Sequence, residues 1–501
     1  MRSWDVMTVL AAKPVAVLSC AAFLAAGCSV TPQPLSQAEV KDFVNERMAQ
    51  VAANNEPITG KIDLYEALAR SLKFNLDHRV EMMAATLAMR ELDQANMDML
   101  PRVVANSNYF GRSNIQASSS QSVLTGRQSL EPSTSTEKNT LAADLTFGWN
   151  ILDFGLSYVR AKQQADKALI AEEQRRKAAQ RILEDTRTAF WRAISAERLV
   201  RDTKTLEAGV QQALGNARSL SATGQASPLP ALIYERELIS IKRELQELER
   251  SLAVARAQLA ALINVPPDTP FALEVPARPP MPRPPAMSPE DMIRTALEQR
   301  TEVRQVMYEM RINKSEADAA ILAMLPGINL YAGVNADTNK FLYNNHWIAW
   351  GARASWNLMS IFTYPSKKAT ISARDDLLKE RTLAVMMAIM TQVHVSRARL
   401  AEYTQAYQTT TELLNVQGRI LKQTQAEAAT DFTGEQSLIR ERMNLLASRA
   451  RHDIAYADLQ NAHANLMASM GFDPIGADIV LTRPVAEVAN DLRQAMAGRD
   501  Y

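Results

Sequence analysis

Five histidines, His78, His346, His394, His452 and His463, are the first place to look for metal or acid–base chemistry in this 501-residue chain. They are neither paired nor set at metal-ligand spacing, and His452 and His463 fall too far apart on one predicted helix to share an ion. The chain carries neither a G-x-S-x-G nucleophile turn nor a Gly-rich phosphate loop. Met386, Met387 and Met390 could offer soft sulfur to a metal, but flexible Met at helical spacing is expected to fill a core. No catalytic constellation forms, so no enzyme and no cofactor is expected.

The one residue with a clear chemical destination is Cys28. Arg2 and Lys13 precede an apolar stretch that ends "LAAGC" at Leu24–Cys28. This stretch is too short for a membrane helix and suits the hydrophobic region of a secretory signal. A Cys directly after Ala25-Ala26-Gly27 resembles a bacterial lipoprotein processing site, with a signal over 1–27 and Cys28 left as the lipid-bearing first residue. The alternative is an ordinary cleaved signal and a buried thiol. The other cysteine, Cys20, lies inside the signal, so the mature chain could form no internal disulfide. With 56 basic and 55 acidic residues, the net charge of +1 argues against a nucleic-acid partner.

The elements around these residues are written twice. Residues 63–101 align with 288–326 at an offset of 225, so that "DMLP" (Asp98–Pro101) meets "AMLP" (Ala323–Pro326). Beyond the strands the offset becomes 207, and Trp149-Asn150 meets Trp356-Asn357. The difference lies in a Ser/Thr-rich insertion of the first copy, a polar loop of the kind repeats tolerate. The segment 28–61 leads in. The first copy is expected over 62–263, with strands 102–116 and 140–152, a long helix 155–223 and a return helix 228–263. A Pro-rich, extended linker follows at 264–289. The second copy, 290–471, carries strands 327–336 and 346–359, a long helix 366–430 and a return helix 433–470, and 472–501 closes the chain.

The strands alternate apolar and polar residues. Leu141, Ala143, Leu145, Phe147 and Trp149 share one face, and Thr140, Asp144, Thr146 and Asn150 the other. Ile348, Trp350, Ala352, Ala354 and Trp356 repeat the apolar face, opposite Arg353, Ser355 and Asn357. A half-buried sheet in a soluble domain reads the same way. Length and the aromatics near the strand ends (Tyr109, Tyr343, Trp347, Trp350) favour a bilayer instead. Four strands are too few to close a barrel, and open edges are forbidden in hydrocarbon, so closure must come from other copies. Three copies would supply about twelve strands. The long helices, each about 100 Å at 1.5 Å per residue, keep heptad rows such as Val393, Leu400, Tyr407, Leu414 and Leu421. Two apolar rows per helix suggest a ring of helices; a simple antiparallel hairpin seam is the alternative.

This duplicated helix–strand–strand–long helix–helix unit resembles the TolC family of outer-membrane efflux channels, in its lipoprotein-anchored branch. "TGQASPLPALIYERELI" (Thr223–Ile239) is similar to the family's hairpin tip and return helix, whereas the second tip has Ala428 or Ala429 where Gly is common. The resemblance implies a mostly α fold with a small membrane β-barrel: a homotrimer with a 12-stranded barrel in the outer membrane, set on a long α-helical periplasmic barrel. It implies passive export, with an inner-membrane pump and a periplasmic adaptor docking at tips that contain Gly224, Ser227 and Gly434. Trp149, Trp347, Trp350 and Trp356 would meet outer-membrane lipid at the interface, and the Asn of each Trp-Asn pair would face the lumen. Glu427, Asp431 and Glu435 would ring the periplasmic aperture; alternatively they cap and solvate a helix end. The competing functional reading is a periplasmic adaptor lipoprotein, which has a single hairpin flanked by small β-domains. A structural coiled-coil lipoprotein without a channel would leave the polar strand faces unexplained.

Overall fold

The computed structural model describes residues 32–53, 55–222, 228–266, 269–276, 281–282, 285–428, 434–472 and 479–497. The chain divides into two units, Met1–Asn55 and Glu56–Tyr501. The signal segment and Cys28 lie outside the described residues. Within the first unit, α1 (Gln37–Ala53) opens on a capping box: Ser36 Oγ accepts the Glu39 amide at 3.2 Å, and the Glu39 carboxylate accepts the Ser36 amide at 2.7 Å. The Ser36 amide and the Ser36 hydroxyl, the latter at 2.8 Å, both donate to the Glu39 carboxylate and hold it below its ordinary range.

The second unit begins with β1 (Lys61–Ile62), α2 (Leu64–Phe74), α3 (Leu76–Met97), β2 (Arg102–Gly111), β3 (Asn139–Asn150), α4 (Ile151–Ala222) and α5 (Pro228–Leu262). After β4 (Ala272–Leu273), which pairs in parallel with β1, the series returns. It runs α6 (Pro289–Gln299), α7 (Thr301–Leu322), β5 (Gly327–Asp337), β6 (His346–Ser355), α8 (Met359–Ala428), α9 (Gly434–Ser469) and finally α10 (Val485–Ala497). Adding 225 to the bounds of α2 and α3 gives those of α6 and α7, and β2 starts at 102 where β5 starts at 327. Adding 207 to the start of β3 gives 346, the start of β6.

The opening helix of each copy is two helices broken at one extended residue. Asn75 breaks the first, because its Oδ1 accepts the amides of Asp77 at 3.0 Å and His78 at 3.2 Å and so caps α3. Arg300, at φ −67° and ψ 137°, breaks the second. Asp63 and Ser288 occupy matching N-caps, taking the amides of Glu66 and Asp291.

Four antiparallel strands form one sheet in the order β2-β3-β5-β6, so the two copies meet at β3–β5. This is one sheet shared by both copies, not a pair of small β-domains beside one hairpin. β2 ends at Gly111; the Ser/Thr-rich residues beyond it form a loop closed by bridges Ser118↔Ser133 and Gln121↔Gln128. Ile151 and Leu152 belong to α4 because Asn150 caps it. The second long helix starts seven residues before the predicted Ser366 and takes Pro365 into its second turn. Its entry is closed by i→i+3 bonds, Ser360 to Asn357 and Ile361 to Leu358.

The helices pack through several apolar clusters. Toward the tips Leu199, Leu206 and Val210 of α4 meet Leu238, Ile241 and Leu245 of α5 and Ile439, Met443 and Leu446 of α9. Val393 and Leu400 of α8 meet Leu459 and Leu466 of α9 and Met292 of α6. α10, within a segment for which no element is expected from sequence, buries Val488 and Leu492 against Leu68 and Leu72 of α2 and Leu183 of α4. Full burial of such a side chain contributes about 1.5–3 kcal/mol. Met387 departs from the expected core filling: it is exposed on α8, whereas Met386 and Met390 are half-buried.

Candidate functional site

The sheet is inside out for a soluble domain. Along β3 the odd-numbered apolar residues, Leu141 to Trp149, are exposed, while Thr140, Asp144, Thr146 and Asn150 are half-buried. Register extends each face across all four strands. One row reads Val103↔Phe147↔Ala332↔Trp350 and the next Ala105↔Leu145↔Val334↔Ile348. Ile348 and Trp350 are 72% and 81% exposed, so the middle of this apolar face lies open among the described residues. A surface of this kind in one contiguous sheet marks a membrane or an interface.

The opposite face is polar. Asn106, Asp144, Asn335 and Trp347 form one row, in which Asp144 accepts Asn106 Nδ2 at 3.0 Å and Thr146 Oγ1 at 2.8 Å. Asn150, Asn329 and Arg353 form another, nearer the helices. Arg102, Gly148, Tyr331 and Gly351 share a third, where Tyr331 lies over Gly351: a Cβ there would stand 2.6 Å from the tyrosine oxygen. Two of the tryptophans therefore differ from expectation. Trp347 belongs to the polar row, because pairing with Asn335 fixes its parity, and Trp350 stands at mid-strand in the apolar face.

The other two tryptophans mark the strand-to-helix junctions. Trp149 packs edge-on against Phe154 at 5.6 Å. Trp356 donates its indole N–H to the Met324 carbonyl at 2.8 Å. The asparagines beside them have a role that alternation alone did not reveal. Asn150 Oδ1 accepts the amides of Leu152 at 3.0 Å and Asp153 at 3.3 Å, and Asn357 Oδ1 accepts that of Met359 at 3.1 Å. Asn150 is the last residue of β3 and Asn357 lies two residues beyond β6, and each caps a helix of about 70 residues. The signal was present as Asn directly before a long helical pattern.

Between the copies, α4 and α7 are joined by ions. Arg311 binds Asp166, its Nε at 2.8 Å; Arg304 meets Glu173 at 3.5 Å and Lys177 meets Glu302 at 3.2 Å. Asp166 and Glu173 are 2% and 5% exposed. Burial alone would raise the Glu302 carboxyl, but hydrogen bonds and charge from Arg300, with help from Lys177, hold it down to about 2. Burial pushes Glu184, further along α4, above its ordinary range despite a hydrogen bond from Asn465.

At the tips, Glu427 is exposed in the last turn of α8 and accepts Gln423 Nε2 at 3.0 Å. Gly434 opens α9, with Glu435 next along its backbone. Gly224, Ser227, Asp431 and Cys28 lie outside the described residues. Among the described residues no helix is long and apolar enough to cross a membrane, and no group of three or more His, Cys, Asp or Glu could hold a metal ion.

Neither a family model nor a curated sequence matches the chain. Solved structures do. The Campylobacter jejuni CmeC outer-membrane channel matches with a TM-score of 0.63 at 11% identity, over 93% of this chain and 94% of that one. The chain has the fold of outer-membrane channels. The open-state Neisseria gonorrhoeae MtrE outer-membrane channel matches with a TM-score of 0.61 at 16% identity, over 81% of this chain and 88% of that one. The Vibrio cholerae outer-membrane protein VceC gives 0.54 at 14%, over 81% and 96%. Identity this low leaves the fold as the common property, and the correspondence runs over 81% or more of this chain and 88% or more of each channel.

Proposed function

We propose that this chain is the outer-membrane channel of an export system, a passive duct that receives cargo from an inner-membrane pump through a periplasmic adaptor. The observation that carries the reading is the four-stranded sheet with its apolar face exposed and with β2 and β6 free at its edges. Unpaired strand edges have no place in hydrocarbon, so the sheet requires copies of itself, and three would close a 12-stranded barrel. α8 supplies the matching requirement below the membrane. Leu377, Ala384, Ala388, Val395, Leu413 and Ile420 follow one face of that helix and are exposed in the single chain, as expected of a rod that packs into a ring.

In this reading the polar rows through Asp144 and Arg353 line the water-filled bore, and the apolar rows meet outer-membrane lipid. The chain is held additionally by a lipid on Cys28. The turns containing Gly224, Ser227 and Gly434 receive the adaptor, and Glu427, Asp431 and Glu435 surround the periplasmic aperture. Three copies of a carboxylate near one axis attract cations and repel anions.

The deciding experiment is the native mass of the protein extracted in mild detergent from separated outer membranes. Three protomers are expected. A monomer, or recovery only from the inner membrane or soluble periplasm, would sink the channel reading.

A further inference from the structure

The joint between the two copies inside one chain is visible residue by residue, and the two offsets carry it to the joint between chains. At the internal joint, β3 pairs with β5 so that partner numbers sum to 479, as in Leu145↔Val334 and Asn150↔Asn329. Below it, α4 and α7 run antiparallel with partner numbers that sum to 477 at Asp166–Arg311 and Glu173–Arg304. A Cβ on Gly155 would stand 3.8 Å from Leu322, the same sum again.

β6 and α8 are the second-copy counterparts of β3 and α4, and β2 and α3 the first-copy counterparts of β5 and α7. β6 and β2 are the two free edges. α3 exposes Val80, Met83, Leu87 and Met97, and the same numbers plus 225 fall on α7, which lies between α4 and α8.

We infer that the next copy of this chain docks by this same joint, with one fixed register: β6 pairs with the neighbour's β2 so that Ala352 faces Tyr109 and Ala354 faces Ser107, and Glu380 of α8 meets Arg79 of the neighbour's α3. The inference rests on the channel reading above and adds its subunit interface.

Face parity supports the register independently of the arithmetic. Ala352 and Ala354 lie on the apolar face of β6, and Ser107 and Tyr109 on the apolar face of β2, so the seam continues both faces unbroken. A slip of one residue would turn an apolar row into the bore. The helical half is selective about charge. Carried across, Asp166–Arg311 becomes Ala373–Thr86 and Lys177–Glu302 becomes Ala384–Asp77, so neither ion pair persists. Only Glu173–Arg304 keeps its chemistry, as Glu380–Arg79. Glu380 is exposed, and among the described residues neither it nor Arg79 forms an ion pair within the chain. Phe362, 74% exposed, takes the place of Gly155 opposite Met97.

The test uses the full-length protein in outer membranes. Facing residues of an antiparallel pair have Cα atoms about 4.5–5.5 Å apart, within disulfide reach, while diagonal neighbours stand at about 7–8 Å and exceed it. Ala354→Cys with Ser107→Cys is therefore expected to give covalent dimers and trimers on oxidation. Ala354→Cys with Tyr109→Cys, or with Ala105→Cys, is expected to give little. Separately, Glu380→Arg or Arg79→Glu alone should lower the temperature at which the trimer dissociates, and the two together should restore it. A trimer that cross-links only in the shifted pairs would overturn the register while leaving the channel reading standing. Single charge reversals without effect, or a double reversal without rescue, would overturn the helical contact. A wild-type protein that is monomeric would overturn both proposals.

Discussion

The Trp356 indole N–H donates to the Met324 carbonyl at 2.8 Å, tying the exit of β6 to the last turn region of α7 across 32 residues. Trp149, its counterpart in the first copy, packs on Phe154 instead. The same Trp-Asn pair thus fastens its junction by a polar contact in one copy and an aromatic one in the other. Trp356→Phe keeps the ring and removes the donor. The site is half-exposed, so the expected loss is at the low end of a hydrogen bond's net worth, about 0.5–1 kcal/mol. It should appear as a lower melting temperature, with Trp149→Phe giving a smaller change.

Asn150 and Asn357 make a sharper case, because the same residue type caps the long helix at both strand-to-helix junctions. Replacing either with Ala should cost about 0.5–2 kcal/mol through the lost cap, and Asp or Ser should recover most of it. Thermal melts of the six variants separate this from a purely lumenal role. Under that role the caps would be irrelevant to stability, and Ala would cost no more than Ser.

Gly351 tests the polar face of the sheet. A Cβ at this position meets the Tyr331 oxygen at 2.6 Å and its Cζ at 2.8 Å, so the ring must move. Gly351→Val is expected to reduce the amount of folded protein in the outer membrane, measured by heat-modifiable mobility on gels. Adding Tyr331→Ala should recover it. Recovery failing in the double variant would place the cost of valine elsewhere.

The architecture was legible because it rests on local patterns. Strands of period two, long helical stretches free of proline and a repeated "MLP" followed by an alternating run are all patterns local in the sequence. The observed strands start at 102 and 327, while the second long helix extends back through Pro365. What escaped detection depends on distant partners. Nothing near Asp166 indicates that Arg311 neutralises it 145 residues later, although the seven-residue spacing of Asp166 and Glu173 matches that of Arg304 and Arg311. α10 carries Val485, Val488, Leu492 and Met496 at helical spacing, but its partners on α2 lie more than 400 residues earlier. Trp350 keeps the apolar face that alternation gives it but stands at mid-strand rather than at an interface, and Trp347 falls in the polar row because pairing with Asn335 fixes its parity. The caps at Ser36 and Asn75 were readable from residue type and went unread.

Glu302 gives the fold an acid limit. Its ordinary value of 4.5 is depressed to about 2 in the folded protein, despite burial, by Arg300 and Lys177. A depressed carboxyl contributes stability that is complete above the unfolded value and is lost as pH falls through the folded one. The loss attributable to this group should therefore run between about pH 4.5 and 2. Glu302→Gln should flatten that part of the stability curve, and chemical denaturation across this window measures it. A slope unchanged in the variant would show that other carboxylates carry the acid response.

Glu427 separates aperture from cap by the sign of its effect on stability. It sits in the last turn of α8, a helix with no basic residue in that turn. The C-terminal end of a helix carries partial negative charge, so a carboxylate in that turn opposes the helix dipole by about 0.3–1 kcal/mol. A residue retained to solvate or stabilise the helix end would have the opposite sign. Glu427→Gln is therefore expected to leave stability unchanged or slightly raised, while single-channel recordings show cation preference reduced. Asp431→Ala should reduce it further if both carboxylates stand near the axis. Stability that falls in Glu427→Gln, with selectivity unmoved, would return Glu427 to an ordinary surface role at the helix end.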